Sequence, residues 1–561
     1  MSYRTLDRPW RRPGRFAYAR TRLRATRHPP VSVYPMPPDI AKDEDVAVAM
    51  PDGVTLRLNL FRPPGPGPFP VILSAHPYGK DEVPVRKRGR WRLNAQFRVM
   101  NQPQPLVISD QTSWEAPDPV WWAQQGYAVI NLDTRGGGHS GGRGELLSDQ
   151  EADDIAHVIA WAAAQPWSNG RVGMLGVSYL ALSQYKVAAL NPPALKAICP
   201  WEGFTDAYRD FFTPGGIAEN GFARVWLFLT KRVARLRTDF AAERRRHPLR
   251  DDWWDALVPE LDRITVPMLV CTSFSDANLH SAGSMRAFQQ AGSIERHAYA
   301  HRGPKWSTFY GDEARRTQLA FFDRHLRGRD VSALPVLRLE IRDRAENVVE
   351  VRDEGEWPLA RTDWRHLHLG VEGTLSERPA RDGEVRFNLR RNAAAFHYFF
   401  EDDTELTGPM TLRLQVATTG TADPRLFVGV EKWSAGAPVG FHGSYGYVRD
   451  HVAQGRLRLA LRELDPERSA PHQPEHAFRA LCPVRAGEQL EVLVALSSSA
   501  TFFRAGDSLR LVVAGRYLHP RNPLFGHFPT SYERSGRGTA TIRWSRERPS
   551  VLEVPVIPRE G

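Results

Sequence analysis

Three residues far apart in the chain have the side chains that acyl transfer needs: Ser178, Asp276 and His301. A serine hydroxyl is a poor nucleophile at neutral pH, so it requires a base to take its proton and an acid to orient that base. Ser178 lies in "RVGMLGVSYLALSQYKVAAL" (171–190), between an apolar run with strand character and a run with helix character. A tight strand-to-helix turn there would lift the hydroxyl above a sheet edge as a nucleophile elbow. A turn serine satisfied by local backbone hydrogen bonds is the plainer alternative. Asp276 follows the strand-like "VPMLVCTSF", and His301 follows "RHAYA", each where a strand should enter its loop. The predicted chemistry is attack of Ser178 on an ester or amide carbonyl. His301 serves as general base and then acid, and Asp276 holds the imidazole and stabilises its cation. This scheme requires no metal and no organic cofactor. Three other histidines read as packed or solvated: His280, four residues past Asp276 on the next helix; His297, inside a strand; and His325, late in a helix.

The elements around these residues alternate. From about 45 to 330, apolar strands ("FPVILSAHPYG", "YAVINLD", "RVGMLG", "ALKAICP", "VPMLVCTSF") interleave with helical patterns such as "SDQEADDIAHVIAWAAAQPW". In that helix Ser148 and Glu151 have capping-box spacing. Fully apolar strands separated by helices predict an α/β fold, a parallel sheet covered on both faces. The chain order Ser, Asp, His is that of an α/β-hydrolase. An aromatic and arginine-rich stretch at about 203–262 falls between two strands and predicts a helical cap, inserted where ligands bind in such sheets. After residue 330 the hydrophobic period becomes two ("PVLRLEIR", "MTLRLQVATTG", "EQLEVLVALSSS", "DSLRLVVAG"), which predicts an antiparallel sandwich or jelly roll over 331–561.

Composition narrows the function class. The chain of 561 residues carries a formal net charge of +11, but residues 1–30 hold nine arginines against Asp7, a balance of +8 that leaves +3 for the rest. The basicity therefore belongs to an N-terminal arm (1–44), not to a nucleic-acid-binding face, and no nucleic-acid partner is predicted. The arm lacks the apolar core of a secretory signal. No window is long and apolar enough to span a membrane. Three cysteines without CxxC spacing argue against a zinc site or a disulfide framework, so a cytoplasmic, soluble protein without a metal is expected. The expected partner is a small ester or amide, or a short peptide; a homo-oligomer is possible.

Further along, the motifs resemble those of the cocaine-esterase and X-Pro dipeptidyl-peptidase (CocE/NonD) family of serine hydrolases. They are "GVSY" (176–179), "HPYGK" (76–80), "LDTRGGGHSGG" (132–142) and "FFRAGDSLRLVVAGRYLHPRNP" (502–523). The resemblance covers roughly residues 45–540. It implies an α/β-hydrolase domain with a helical cap, a jelly-roll domain against it, and an oxyanion hole formed by the Tyr78 phenol and the Tyr179 backbone N–H. The chain departs from the family's G-x-S-Y-x-G motif in having Ala181 at the last glycine. It also departs in placing "RGPKW" after His301, where the family approaches its histidine through a Gly-Pro-Trp type of sequence.

Substrate choice rests on fewer residues. Glu202 and Asp206 could receive a substrate ammonium group, or could serve as a helix-start carboxylate and a partner for Arg209. Trp201, Phe204, Tyr208, Phe211, Phe212 and Trp226 could line an apolar acyl pocket or pack the cap. The leading expectation is a carboxylesterase. X-Pro dipeptidyl-peptidase activity and amino-acid ester or β-lactam acyl transfer stand as alternatives, and a non-catalytic binding protein on a hydrolase scaffold is a reading of another class.

Overall fold

Strand β5 (Ser168–Val177), which delivers Ser178, is central to a largely parallel sheet whose neighbours read as apolar runs in the sequence. The computed structural model describes residues 20, 23–24, 26–100, 105–446, 448–519 and 529–558. Residues 1–19, 21–22 and 25 of the arginine-rich arm lie outside the described residues.

The sheet begins with the hairpin β1 (Ala41–Ala49) and β2 (Thr55–Arg62) around the Asp52-Gly53 turn. It continues through β3 (Phe69–His76), β4 (Ala128–Asp133), β6 (Leu195–Trp201), β7 (Met268–Ser273) and β8 (Arg296–His301). The spatial order is β1-β2-β4-β3-β5-β6-β7-β8, antiparallel at β1, β2 and β4 and parallel from β4 onward. β4 and β7 are buried along their whole length, because helices cover both faces. On one face lie α2 (Asp149–Ala163), α3 (Tyr179–Ala189) and α5 (Ser281–Gln290). On the other lie α1 (Pro119–Gln124) and α6 (Asp312–Arg327). The Ser148 side chain caps α2 by accepting the Glu151 N–H at 3.2 Å, as the spacing predicts. Each fully buried Leu, Ile or Phe in these layers contributes roughly 1.5–3 kcal/mol.

Between β6 and β7 the chain leaves the sheet in short helical pieces, of which α4 (Phe222–Val233) is the longest. These stand over the carboxyl ends of the strands, where the aromatic stretch predicts a cap.

One segment departs from expectation. Leu337–Arg344, assigned by its period of two to the second domain, pairs in parallel with β8 and extends the first sheet as β9. Of the polar alternate positions in "LRLEIR", Arg338 and Glu340 are buried and Arg342 is half-buried. Arg338 lies over the Tyr299 ring and bonds Glu313, while Glu340 accepts the Arg302 N–H and the Arg342 guanidinium. Alternation therefore reports ion pairing here, not a solvent face.

Beyond β9 the strands pair antiparallel except for one parallel contact at Thr374↔His397, and they form an all-β domain. Thr404–Thr419 and Leu490–Phe503 pair from Thr404↔Phe503 to Val416↔Leu490, and Arg425–Ser434 pairs with Ser508–Ala514. The core of this domain runs without a break into the cap, since Leu412, Leu414 and Val428 share one hydrophobic cluster with Tyr78, Phe211 and Leu227. Arg302, immediately after β8, also joins the two parts. Its buried guanidinium donates to the Val452 carbonyl (3.2 Å), Ser499 Oγ (3.0 Å) and the His451 carbonyl, and lies 4.2 Å from the Phe441 ring centroid. Among the described residues no helix is long and apolar enough to cross a membrane.

Candidate active site

Ser178 sits at the turn from β5 to α3 with φ +57° and ψ −117°, a backbone conformation uncommon for a residue with a side chain. The turn is tight enough that a Cβ on Gly176 would lie 2.4 Å from Leu180 Cβ, which is why glycine stands there. Leu180, at the place where a general G-x-S-x-G elbow has its second glycine, is fully buried. Ala181, the departure from the family motif, is accommodated because Gly203 faces it: a Cβ on Gly203 would meet Ala181 Cβ at 2.8 Å.

The histidine at Ser178 is His280. Its Nε2 lies 3.2 Å from Ser178 Oγ, and its Nδ1 is hydrogen-bonded to Asp276 Oδ2. Asp276 follows β7 as expected, and one helical turn carries the chain to His280, whose backbone N–H donates to the Asp276 carbonyl at 3.0 Å. The i,i+4 spacing brings carboxylate and imidazole onto one face. Phe204 stacks on the His280 ring with centroids 6.0 Å apart.

His301 does not meet Ser178. Its Nδ1 accepts the Gly303 N–H at 3.1 Å, so its proton is placed on Nε2, which points to Glu202 Oε1 at 3.3 Å. Its place at the end of β8, paired with Ser273, sets the ring beside Trp201 and Tyr299, under the site. The expectation for this histidine is corrected accordingly: the strand exit is right for a base, but the side chain is used one layer below.

Lys305 links the two layers. Its Nζ donates to Asp276 Oδ2 at 2.8 Å and lies 3.3 Å from Glu202 Oε2, so one buried cation serves two buried carboxylates. Burial works to raise the Asp276 carboxyl, but Lys305 and His280 together hold it well below the usual carboxylate range. Burial and the Lys305 charge depress His280, against the opposing pull of Asp276, so the imidazole stays a free base to lower pH. Ligand-type atoms of Glu202, Cys271 and His301, and of Glu202, Asp276 and His280, lie within 4.8 Å of one another. Lys305 already supplies the positive charge that a metal would bring between these carboxylates.

Ser178 and His280 open into a cavity of about 550 Å³ walled by Tyr78, Trp114, Leu182, Phe204, Phe211 and Trp226, with Glu115 and Lys305 on its polar side. Tyr78 is buried, and its oxygen accepts the Trp226 indole N–H at 2.8 Å, which leaves the phenol proton available to donate. Burial, with Glu115 nearby, pushes that phenol well above its ordinary range, so it remains a neutral donor. The Tyr179 side chain is tied down by Glu151 Oε2 at 2.7 Å, which fixes the start of α3 and hence the Tyr179 N–H.

Of the eight residues offered for substrate binding, Phe204, Phe211 and Trp226 line the cavity and five do not. Trp201 is buried among Tyr299, His301 and Phe309. Glu202 is engaged by His301 and Lys305. Asp206 caps a helical turn through the Arg209 N–H and lies 3.2 Å from the Arg209 side chain and 3.5 Å from that of Arg250. Tyr208 packs on Trp254 and donates to the Pro248 carbonyl. Phe211 reaches the cavity, whereas Phe212 packs the cap on Phe240 and Trp254. Three residues now stand in the site whose roles the sequence reading did not find: His280, Lys305 and Glu115. The Asp276–His280 spacing is a visible signal for the first and "GPKW" for the second, while Glu115 in "TSWEAPDP" carries none.

The family model for X-Pro dipeptidyl-peptidase (S15 family) matches residues 52–304, and that for the X-Pro dipeptidyl-peptidase C-terminal non-catalytic domain matches 329–553. A solved CocE/NonD family hydrolase from Staphylococcus aureus is 34% identical, with a TM-score of 0.87, and the match covers 92% of this chain and 94% of that one. The chain belongs to the CocE/NonD family of serine hydrolases. Another relative in sequence, the cocaine esterase of Rhodococcus sp. (strain MB1 Bresler), is 26% identical across 92% of this chain and 98% of its own length. An aminopeptidase from the marine sediment archaeon Thaumarchaeota archaeon, 16% identical with a TM-score of 0.73, covers 93% of this chain and 97% of its own and shares the fold. Like the family, this CocE/NonD chain is a serine hydrolase of the esterase or dipeptidyl-peptidase type.

Proposed function

We propose that the chain is a carboxylesterase acting through an acyl-enzyme on Ser178, with His280 as general base and Asp276 as the group that orients it. The observation that carries this reading is the continuous chain from Ser178 Oγ to His280 Nε2 at 3.2 Å and from His280 Nδ1 to Asp276. His280 takes the hydroxyl proton as Ser178 attacks, and Asp276 with Lys305 behind it keeps the imidazole in the tautomer whose Nε2 faces the serine. The Tyr78 phenol and the Tyr179 N–H receive the charge on the tetrahedral oxygen. His280 then protonates the leaving alcohol, and water repeats the sequence to free the acid.

Ester over peptide follows from what surrounds the nucleophile. A peptidase that recognises a free amine needs carboxylates in its pocket to receive the cation. Glu202 and Asp206, which the sequence offers for that role, are both neutralised by resident cations and lie outside the cavity. Apart from Glu82, Glu115, Arg232 and Lys305, most of the wall is aromatic and aliphatic, which suits a neutral, aryl-sized acyl group or alcohol.

The experiment is intact-mass labelling with a small fluorophosphonate and peptide mapping, followed by turnover of neutral aryl esters and of proline-containing dipeptide amides. A single adduct on Ser178 and preference for the esters are expected. No adduct on folded protein would remove the acyl-enzyme, and a preference for the amides would move the assignment to the peptidases.

A further inference from the structure

Glu115 is a carboxyl at the nucleophile that the scheme above leaves unused. It is 8% exposed, sits in the left-handed backbone region at φ +62°, and accepts the Val177 N–H at its carbonyl (3.0 Å). That bond pins it to the residue before Ser178. Its carboxyl lies against the Ser178 side chain, the Tyr179 backbone N–H and the Trp114 indole, and faces the Tyr78 phenol. Among the described residues its Oε2 has no hydrogen-bond partner, although it is buried. Strain at a residue with a buried, unspent polar atom beside the reacting centre points to function.

The question is which protonation state it holds. The cation facing Glu115 is Lys305, whose charge is already shared by Asp276 at 2.8 Å and Glu202 at 3.3 Å. The other titratable groups facing it are the phenols of Tyr78, Tyr310 and Tyr445; His280, Glu82 and Arg232 stand elsewhere on the cavity wall. A carboxylate here would be a third buried negative charge served by one ammonium, next to the oxygen on which negative charge must develop. The neutral acid removes that conflict and gains an O–H to donate.

We propose that Glu115 acts as a protonated third donor of the oxyanion hole, giving a hydrogen bond from its carboxyl O–H to the oxygen that Tyr78 and the Tyr179 N–H also receive. The proton stays on Glu115 throughout, so the step changes no bond and needs no co-reactant. The same principle operates wherever a carboxylic acid is kept neutral to donate. Burial, which outweighs Lys305, pushes the Glu115 carboxyl up to about 7, in line with this geometry. The donor is therefore present in acid and is lost as the carboxyl ionises.

The inference rests on the Ser178 acyl-enzyme reading, and its test is separable from it. Steady-state hydrolysis of a neutral aryl acetate is measured across about pH 5–10 for wild type, Glu115→Gln and Glu115→Ala, with fluorophosphonate labelling of wild-type Ser178 as the check on the nucleophile. Wild type should show kcat falling on the alkaline side. Glu115→Gln, whose amide still donates, should lose that fall and remain active at alkaline pH, while Glu115→Ala should lose about 10²-fold in kcat with little change in KM. An alkaline fall that persists in Glu115→Gln overturns the proposal. So does a Glu115→Gln variant selectively defective on a cationic amino-acid ester, which would make Glu115 an ammonium receptor. Should Glu115→Ala fail to fold, the Glu115→Gln profile decides. Failure of wild-type Ser178 to label would instead remove the acyl-enzyme.

Discussion

Ser178 Oγ and His280 Nε2 face each other at 3.2 Å, although 102 residues separate them and no other strand lies between β5, β6 and β7 in the sheet. The proposed nucleophile comes from the exit of β5 and the proposed base from the turn after β7. The strand exit that the hydrolase order reserves for a histidine, after β8, is used for support. His301 holds Glu202, Glu202 shares Lys305, and Lys305 holds Asp276, so the base is positioned by a buried chain of charge and not by Asp276 alone.

Lys305 adds to burial in setting the pH at which that base works. Burial first and the Lys305 charge second lower His280, and activity needs His280 neutral, so the acid limb of kcat/KM lies below the ordinary histidine value of about 6.5. Lys305→Met should move this limb upward by raising His280, with a loss of about tenfold at mildly acid pH that shrinks as pH rises. A pH–rate profile on a neutral ester checks it, and an unmoved limb would show that Lys305 is only structural.

Tyr78 and Trp226 should separate by kind of effect. Tyr78→Phe keeps the ring against Trp114 and removes one oxyanion donor, so kcat should fall about 10²-fold with KM nearly constant. Trp226→Phe keeps an aromatic wall but removes the indole N–H that fixes the phenol, and should cost about tenfold or less. Steady-state constants on one aryl ester give both numbers, and a Trp226→Phe defect larger than that of Tyr78→Phe would contradict the assignment.

The Arg302 clamp predicts a stability effect. Arg302→Met keeps the stem but leaves buried acceptors at Val452, Ser499 and His451 without their donor, which should cost about 3 kcal/mol. Urea denaturation should show a lowered midpoint, with separate transitions for the two parts as they uncouple. An unchanged midpoint would mean that the hydrophobic cluster shared with the cap holds the domains without the arginine.

The fold was legible where one physical signal dominated. Apolar strands such as "YAVINLD" have no other reading than a sheet covered on both faces, and Ser148 with Glu151 marks the start of a helix by capping chemistry alone. Leu337–Arg344 misled because buried Arg338 and Glu340 imitate the polar face of a half-exposed strand. In the site, Ser178 and Asp276 leave the strands that the sequence pattern marks and meet through His280, and Tyr78 and Trp226 line the cavity beside them. His280 was visible but passed over, because an i,i+4 pair reads as an ordinary helical contact until the sheet order brings Ser178 beside it. Glu115 was not legible at all: its burial and its backbone strain come from contacts with β5 and α3, which nothing in its neighbouring residues encodes.

The central claim is that His280, and not His301, is the base. The direct measurement is kcat/KM on a neutral aryl ester for His280→Asn and His301→Asn side by side, with folding checked by circular dichroism. The structure predicts that His280→Asn falls by about 10³-fold or more, to a rate that no longer rises with pH, while His301→Asn retains the wild-type pH profile and loses about tenfold or less. The reverse pattern, with His301→Asn inactive and His280→Asn active, would contradict the account and return the base to the end of β8.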